Sequence, residues 1–153
     1  MEFTIKPIGF IETPFEEYDD APIQSGFSDA FGTVCVSSEY KPGLKDLDGF
    51  SHIILLYYFD RSEEENLIVK PFLDDEPKGI FAIRHFNRPN HIGLSVVQLI
   101  KIEGCKLLVK GIDVLNNTPL IDIKPLVPEF DLKGIEDCKV GWLEKTKNNK
   151  ENS

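Results

Sequence analysis

The sequence predicts an all-β fold, a single-domain β-barrel with long connecting loops. Apolar residues alternate or run in short blocks rich in β-branched and aromatic types, the blocks are bounded by Gly, Pro, Asn and Asp, and almost no stretch keeps a helical period. Many short strands of this kind make a barrel or a sandwich, and closing the sheet removes exposed strand edges. At 153 residues the chain is long enough for one core and does not require a second. The expected division is a barrel domain over residues 1–143 and a polar, disordered tail over 144–153, which lacks the apolar residues that ordering demands.

Taken in order, Thr4 to Glu12 reads as the first strand. The connection from Thr13 to Phe31 carries Pro14, Asp19, Asp20, Pro22, Gln24 and Gly26 with weak periodicity, as a functional or partner-binding loop does. Gly32 to Ser37 is a second strand, and Asp46-Leu47-Asp48-Gly49-Phe50 is a turn feeding the strand Ser51 to Phe59. Leu67 to Phe72 and Ile80 to Ile83 read as further strands. Leu94 to Ile102, a Glu103-Gly104 turn and Lys106 to Ile112 form a hairpin. Leu120 to Ile123 follows, with a last short strand expected over Lys139 to Leu143.

The formal net charge of −9 argues against a nucleic-acid partner, because phosphate contacts need Lys and Arg. The distribution of charge points the other way. No acid occurs between Glu76 and Glu103, a stretch that holds Lys78, Arg84, Arg88 and Lys101 with His85 and His91. This segment reads either as an anion site or as a chance gap in surface charge. Cys35, Cys105 and Cys138 form no Cys-x-x-Cys pair and have no nearby His, so neither a disulfide framework nor a metal site is expected. The longest apolar run, His52 to Phe59, is too short for a membrane helix, and Met1 to Lys6 lacks the features of a signal peptide, so a cytoplasmic protein without a membrane partner is expected.

The string Gly79-Ile80-Phe81-Ala82-Ile83-Arg84-His85-Phe86-Asn87-Arg88-Pro89-Asn90-His91-Ile92-Gly93-Leu94-Ser95 reads as a buried strand entering a donor-rich loop. Arg84 and Arg88 offer planar forks for a carboxylate or phosphate, and Asn90 can donate and accept at a purine edge. The same string also fits a turn whose arginines pair with surface acids. Asp122 and Lys124, in a Pro-bounded strand end, could meet an ammonium, a ribose hydroxyl or a phosphate, or be surface charges. Gln24 adds an amide in the long loop. His52, opening the most apolar strand, is ordinarily a hydrogen-bonded structural histidine and is a general base only with a partner. No Gly-x-Gly-x-x-Gly, P-loop or His-Glu-x-x-His occurs, which disfavours a doubly wound nucleotide-binding fold.

At these residues the sequence resembles the TsaA-like family, also called the TrmO family. The marks are Gly49-Phe50-Ser51-His52, Gly79-Ile80-Phe81-Ala82-Ile83-Arg84, Arg88-Pro89-Asn90, Ile92-Gly93-Leu94-Ser95 and Asp122-Ile123-Lys124-Pro125, and the match runs from Ile8-Gly9 to Pro128. The resemblance implies a β-barrel methyltransferase that uses S-adenosylmethionine to methylate N6 of threonylcarbamoyladenosine in tRNA, acting as a homodimer. It implies a cofactor pocket drawing on Gln24, on Arg84, Arg88, Pro89, Asn90, Ile92, Gly93 and Ser95, and on Asp122 and Lys124. Asn90, against a base edge, and His52, as proton acceptor, are the implied catalytic candidates.

The sequence departs from the family pattern at several places. Where the pattern reads Arg-Ser-Pro-x-Arg-Pro-Asn-Pro-Ile-Gly, this chain has His85-Phe86-Asn87 and His91. Ile23 replaces an Arg and Leu126 a Tyr, side chains of the types that contact RNA by charge and stacking. Two alternatives follow: methylation of a small nucleotide-like or acidic substrate, and a non-catalytic S-adenosylmethionine-binding or partner-binding module.

Overall fold

A computed structural model of the chain describes residues 1–22 and 28–145. Its strands are β1 (Gly9–Glu12), β2 (Phe31–Val36), β3 (His52–Tyr58), β4 (Ile68–Val69), β5 (Lys78–Gly79), β6 (Ile92–Glu103), β7 (Lys106–Lys110) and β8 (Thr118–Pro125), followed by one helical turn, α1 (Pro128–Asp131). Six of them close an antiparallel barrel in the order β1-β2-β7-β6-β3-β8, with β8 pairing back onto β1, while β4 and β5 form a separate two-stranded ribbon. The all-β barrel expected from the sequence is therefore the observed fold. Among the described residues no helix is long and apolar enough to cross a membrane.

The period of two along a strand sends alternate side chains into the barrel. On β3, Ile53, Leu55 and Tyr57 are buried and His52 and Tyr58 exposed. Ile11, Val34, Val97, Leu107, Val109 and Leu120 come inward from the other five strands of the barrel. Two bulges adapt this scheme. On β6, Leu99 pairs with Val109 and Lys101 with Leu108, so Ile100 is an extra residue. The strand bends there, pairing with β3 before the bulge and mainly with β7 after it. On β8, Tyr57 faces Leu120 and Leu56 faces Asp122, so Ile121 is extra. That shift reverses the parity: Ile123 packs on the core, while Asp122 and Lys124 are opposite the outward Leu56 and Ile54.

Four expected elements differ. Ile80 to Ile83 is no strand but a 3-10 turn, Ile80–Ala82, with Ile80 and Ile83 buried and Phe81 and Ala82 exposed. That spacing of three is the period of a 3-10 turn, which puts residues i and i+3 on one face. Lys139 to Leu143 likewise ends in a 3-10 turn, Gly141–Leu143, entered with Gly141 at φ 58°. The first strand starts at Gly9, where both β2 and β8 begin to supply partners, and Leu67 to Phe72 keeps only the two residues of β4. Residues 146–153 of the expected tail, and Gln24 with Ile23 in the long loop, lie outside the described residues.

Gly93 is required by close packing. A Cβ there would lie 2.3 Å from Cε2 of Tyr57 and 2.7 Å from Cζ of Phe59. Gly93→Ala should therefore destabilise the barrel by about 1–3 kcal/mol through overpacking. The expected reading is a lower urea midpoint at an unchanged slope, and a midpoint equal to wild type would show that the two rings do not need this gap.

Candidate functional site

One cleft, of about 800 Å³, opens where β3 ends and β6 begins. Its walls come from Tyr57 and Phe59, from Ile92, Gly93 and Leu94, from the loop Phe81 to Phe86 with Arg88, and from Tyr18 to Pro22 in part. Asp113, Phe72 and Trp142 complete it. The size suits a cofactor-sized molecule.

The loop is held from within. Arg88 donates from Nη1 to the carbonyls of Ile83 (2.8 Å) and His85 (3.3 Å), and the Asn87 amide donates to Nδ1 of His85 (3.1 Å). Ser62 donates to Oδ1 of Asn87 (2.6 Å), and Nδ1 of His91 donates to the Phe86 carbonyl (3.0 Å). The return into β6 passes through two left-handed residues, Asn90 at φ 66° and His91 at φ 48°. Asparagine and histidine are among the side chains that accept this region, so Asn90 has a backbone reason to be there. Neither Asn90 nor Pro89 borders the cleft.

His85 and Phe86 build an aromatic lip. Phe86 stacks on Tyr18 with centroids 4.1 Å apart and planes 13° apart, His85 lies 4.1 Å from Phe86, and Phe72 stacks on His85 at 5.7 Å. Burial, and after it the nearby Arg88 charge, pushes His85 below the ordinary histidine range. Its neutral form also keeps the Nδ1 lone pair that the Asn87 amide needs.

A hydrogen-bond chain runs out of the core to the same cleft. The Tyr57 hydroxyl and Ser95 Oγ are 2.8 Å apart, and Ser95 donates to Oδ1 of Asp113 at 2.5 Å. With the Ser95 proton committed to Asp113, the Tyr57 hydroxyl is the donor to Ser95. Burial first, and the Asp113 charge second, raise Tyr57 above its ordinary value, so it keeps that proton. The chain fixes a carboxylate on the cleft wall.

The residues singled out in the sequence divide accordingly. Arg84, Arg88, Ile92 and Gly93 border the cleft. Ser95 is buried behind it and acts through Asp113. Asp122 borders a second cavity of about 530 Å³ with Ile8, Tyr40 and Phe50, and pairs with Lys124 at 2.9 Å. These two are not brought to the cleft within this chain. Nor is His52, which is exposed, bonds to Ser51 Oγ at 2.8 Å and opens β3 five residues before Tyr57, about 17 Å away at strand rise. Pro22, two residues before Gln24, does border the cleft. Asp113, Tyr57 and Trp142 did not stand out in the sequence. The available signal for Asp113 was a carboxylate between the apolar Ile112 and Val114, which are both buried.

A probable S-adenosyl-L-methionine-binding protein of Pyrococcus abyssi is 50% identical over 141 residues, covering 92% of this chain and 76% of that protein. The human tRNA (adenine(37)-N6)-methyltransferase is 30% identical over 135 residues, covering 82% of this chain and 30% of that protein. A solved structure of TrmO from Pseudomonas aeruginosa superposes with a TM-score of 0.78 at 34% identity, covering 92% of this chain and 62% of that one, so this chain spans less than two thirds of that structure. Residues 10–132 match the tRNA-methyltransferase O N-terminal domain, and the chain belongs to that family.

Proposed function

We propose that the cleft binds S-adenosylmethionine and that the chain methylates an adenosine of tRNA, with N6 of threonylcarbamoyladenosine at position 37 as the acceptor. The observation that carries the cofactor reading is the charge arrangement of the cleft. A carboxylate pinned by Ser95 and Tyr57 shares it with the guanidinium groups of Arg84 and Arg88. A methionine-type end group, with its ammonium and carboxylate, matches such a pair, Asp113 facing the cation and Arg84 the anion. The aromatic lip suits a purine ring. The cofactor supplies an electrophilic methyl group. The protein's part is to orient it and exclude water, which the enclosing lip and the apolar Phe59, Ile92 and Leu94 do.

The name of the human relative and that of the family domain support the tRNA acceptor. An acidic chain meets RNA phosphate best through its acid-free segment from Lys78 to Lys101, which carries the cleft loop. A homodimer belongs to the same reading, supported by the exposed apolar Tyr58 on β3 and Ile100 on β6, which lie outside the cleft. A second reading, cofactor binding without methyl transfer, is favoured by the distance of His52 from the cleft and by the binding-protein name of the Pyrococcus relative.

Calorimetric titration with S-adenosylmethionine should show one site per chain. Asp113→Asn should weaken it on the order of tenfold, from loss of a charge-assisted contact. Unchanged affinity would remove Asp113 from the site. Purified protein incubated with tRNA and S-adenosylmethionine should yield methylated threonylcarbamoyladenosine by nucleoside mass spectrometry, and binding without product would favour the second reading.

His85 makes stability depend on pH. Its folded value lies below the unfolded one, so between the two the unfolded chain holds more protons, and stability falls as pH drops below about 6.5. His85→Phe should narrow the difference in urea midpoint between mildly alkaline and mildly acidic buffer. An unchanged difference would mean that His85 does not carry it.

A further inference from the structure

After α1 the chain runs over the surface with every residue from Leu132 to Lys139 exposed. It contributes nothing to the barrel core, and ordering it costs conformational entropy. Contact is regained at Val140, Trp142 and Leu143, all half-buried, and the last two border the cleft. The match to the family domain ends at residue 132, where this strap begins.

Trp142, the chain's single tryptophan, is held in two directions. Its indole Nε1 donates to the carbonyl of Ala82 at 2.8 Å, two residues before Arg84. The Lys78 ammonium lies 5.7 Å from its ring centroid, and Lys78 is itself fixed by Asp74 at 3.3 Å and Glu76 at 3.7 Å. A hydrogen bond in the ring plane and a cation against the π-system together define the orientation of an indole. Gly141, at φ 58°, makes the turn that presents it.

We propose that the strap is part of the binding site and that Trp142 is an aromatic wall for a purine ring. The purine is either the adenine of the cofactor or the acceptor adenosine, and the inference rests on the cofactor reading of this cleft. A surface segment with no core of its own, anchored to the site loop so that its indole borders the same cleft as Arg84 and Asp113, is explained by contact with a flat ligand. Stacking of a base on an aromatic side chain tolerates sequence variation around it and needs only the ring in place.

A lone tryptophan makes the test direct. Its emission, excited where the tyrosines do not absorb, is followed while the full chain is titrated with S-adenosylhomocysteine and, separately, with adenosine monophosphate, with calorimetry of S-adenosylmethionine in parallel. Saturable quenching by S-adenosylhomocysteine supports the wall and assigns it to the cofactor, and quenching by adenosine monophosphate alone supports it and assigns it to the acceptor. By calorimetry of whichever ligand quenches, Trp142→Ala should weaken binding about tenfold or more and Trp142→Phe much less, since phenylalanine keeps a ring. Heat from S-adenosylmethionine without quenching by either ligand overturns the wall and leaves the cofactor reading standing. Neither heat nor quenching overturns both.

Discussion

The site depends on the line of hydrogen bonds that joins Tyr57, Ser95 and Asp113. A phenol and a hydroxyl inside a barrel of Ile, Leu and Val are tolerated only when each finds a partner, because a buried polar group without one costs on the order of 1–3 kcal/mol. Ser95 solves this for both neighbours, accepting from Tyr57 and donating to Asp113. Three separate parts of the chain must agree for that to happen. Tyr57 comes from β3, Ser95 from β6, and Asp113 from the segment after β7. Gly93 leaves room for the Tyr57 ring, and the barrel walls around it hold the relay in one geometry. The fold thereby turns core packing into a placed carboxylate.

Much of this architecture was legible in the sequence because a strand announces itself by alternation and a hairpin by its turn. The β6–β7 hairpin around Gly104 and the β3 strand follow that logic closely. What alternation cannot show is a change of parity. One extra residue, Ile121, sends Asp122 and Lys124 to the outside of β8 and toward a different cavity from the one their motif suggested. Nor can it separate a buried strand from a 3-10 turn when the apolar residues sit three apart, as Ile80 and Ile83 do.

Within the site, the cluster of basic residues from Arg84 to Arg88 was visible because charge stands out in so acidic a chain. Asp113 was not, since one more acid among twenty-six carries no signal until its burial and its partner are known. The same holds for Asn90, whose amide suggested recognition while its φ of 66° explains it as a turn residue. The departures from the family pattern are informative in the opposite sense. His85 and Phe86 stand where Ser and Pro are usual, and they form the middle of the ladder from Phe72 to Tyr18.

Barrel closure also has a kinetic side. The β6–β7 hairpin joins neighbours in the chain, but the seam between β1 and β8 pairs Gly9 with Leu120 and Ile11 with Thr118, residues from opposite ends of the domain. Local pairs carry little loop-closure entropy, and the seam carries the most, so the ring is expected to zip from the hairpin outward and seal last. The stack of Tyr18 on Phe86 lies across that sequence of events, tying the loop just after the seam strand β1 to the loop just before β6. A ligand that strengthens this stack fastens early-forming and late-forming parts of the barrel together. It would lengthen the lifetime of the closed ring as well as fill the cleft.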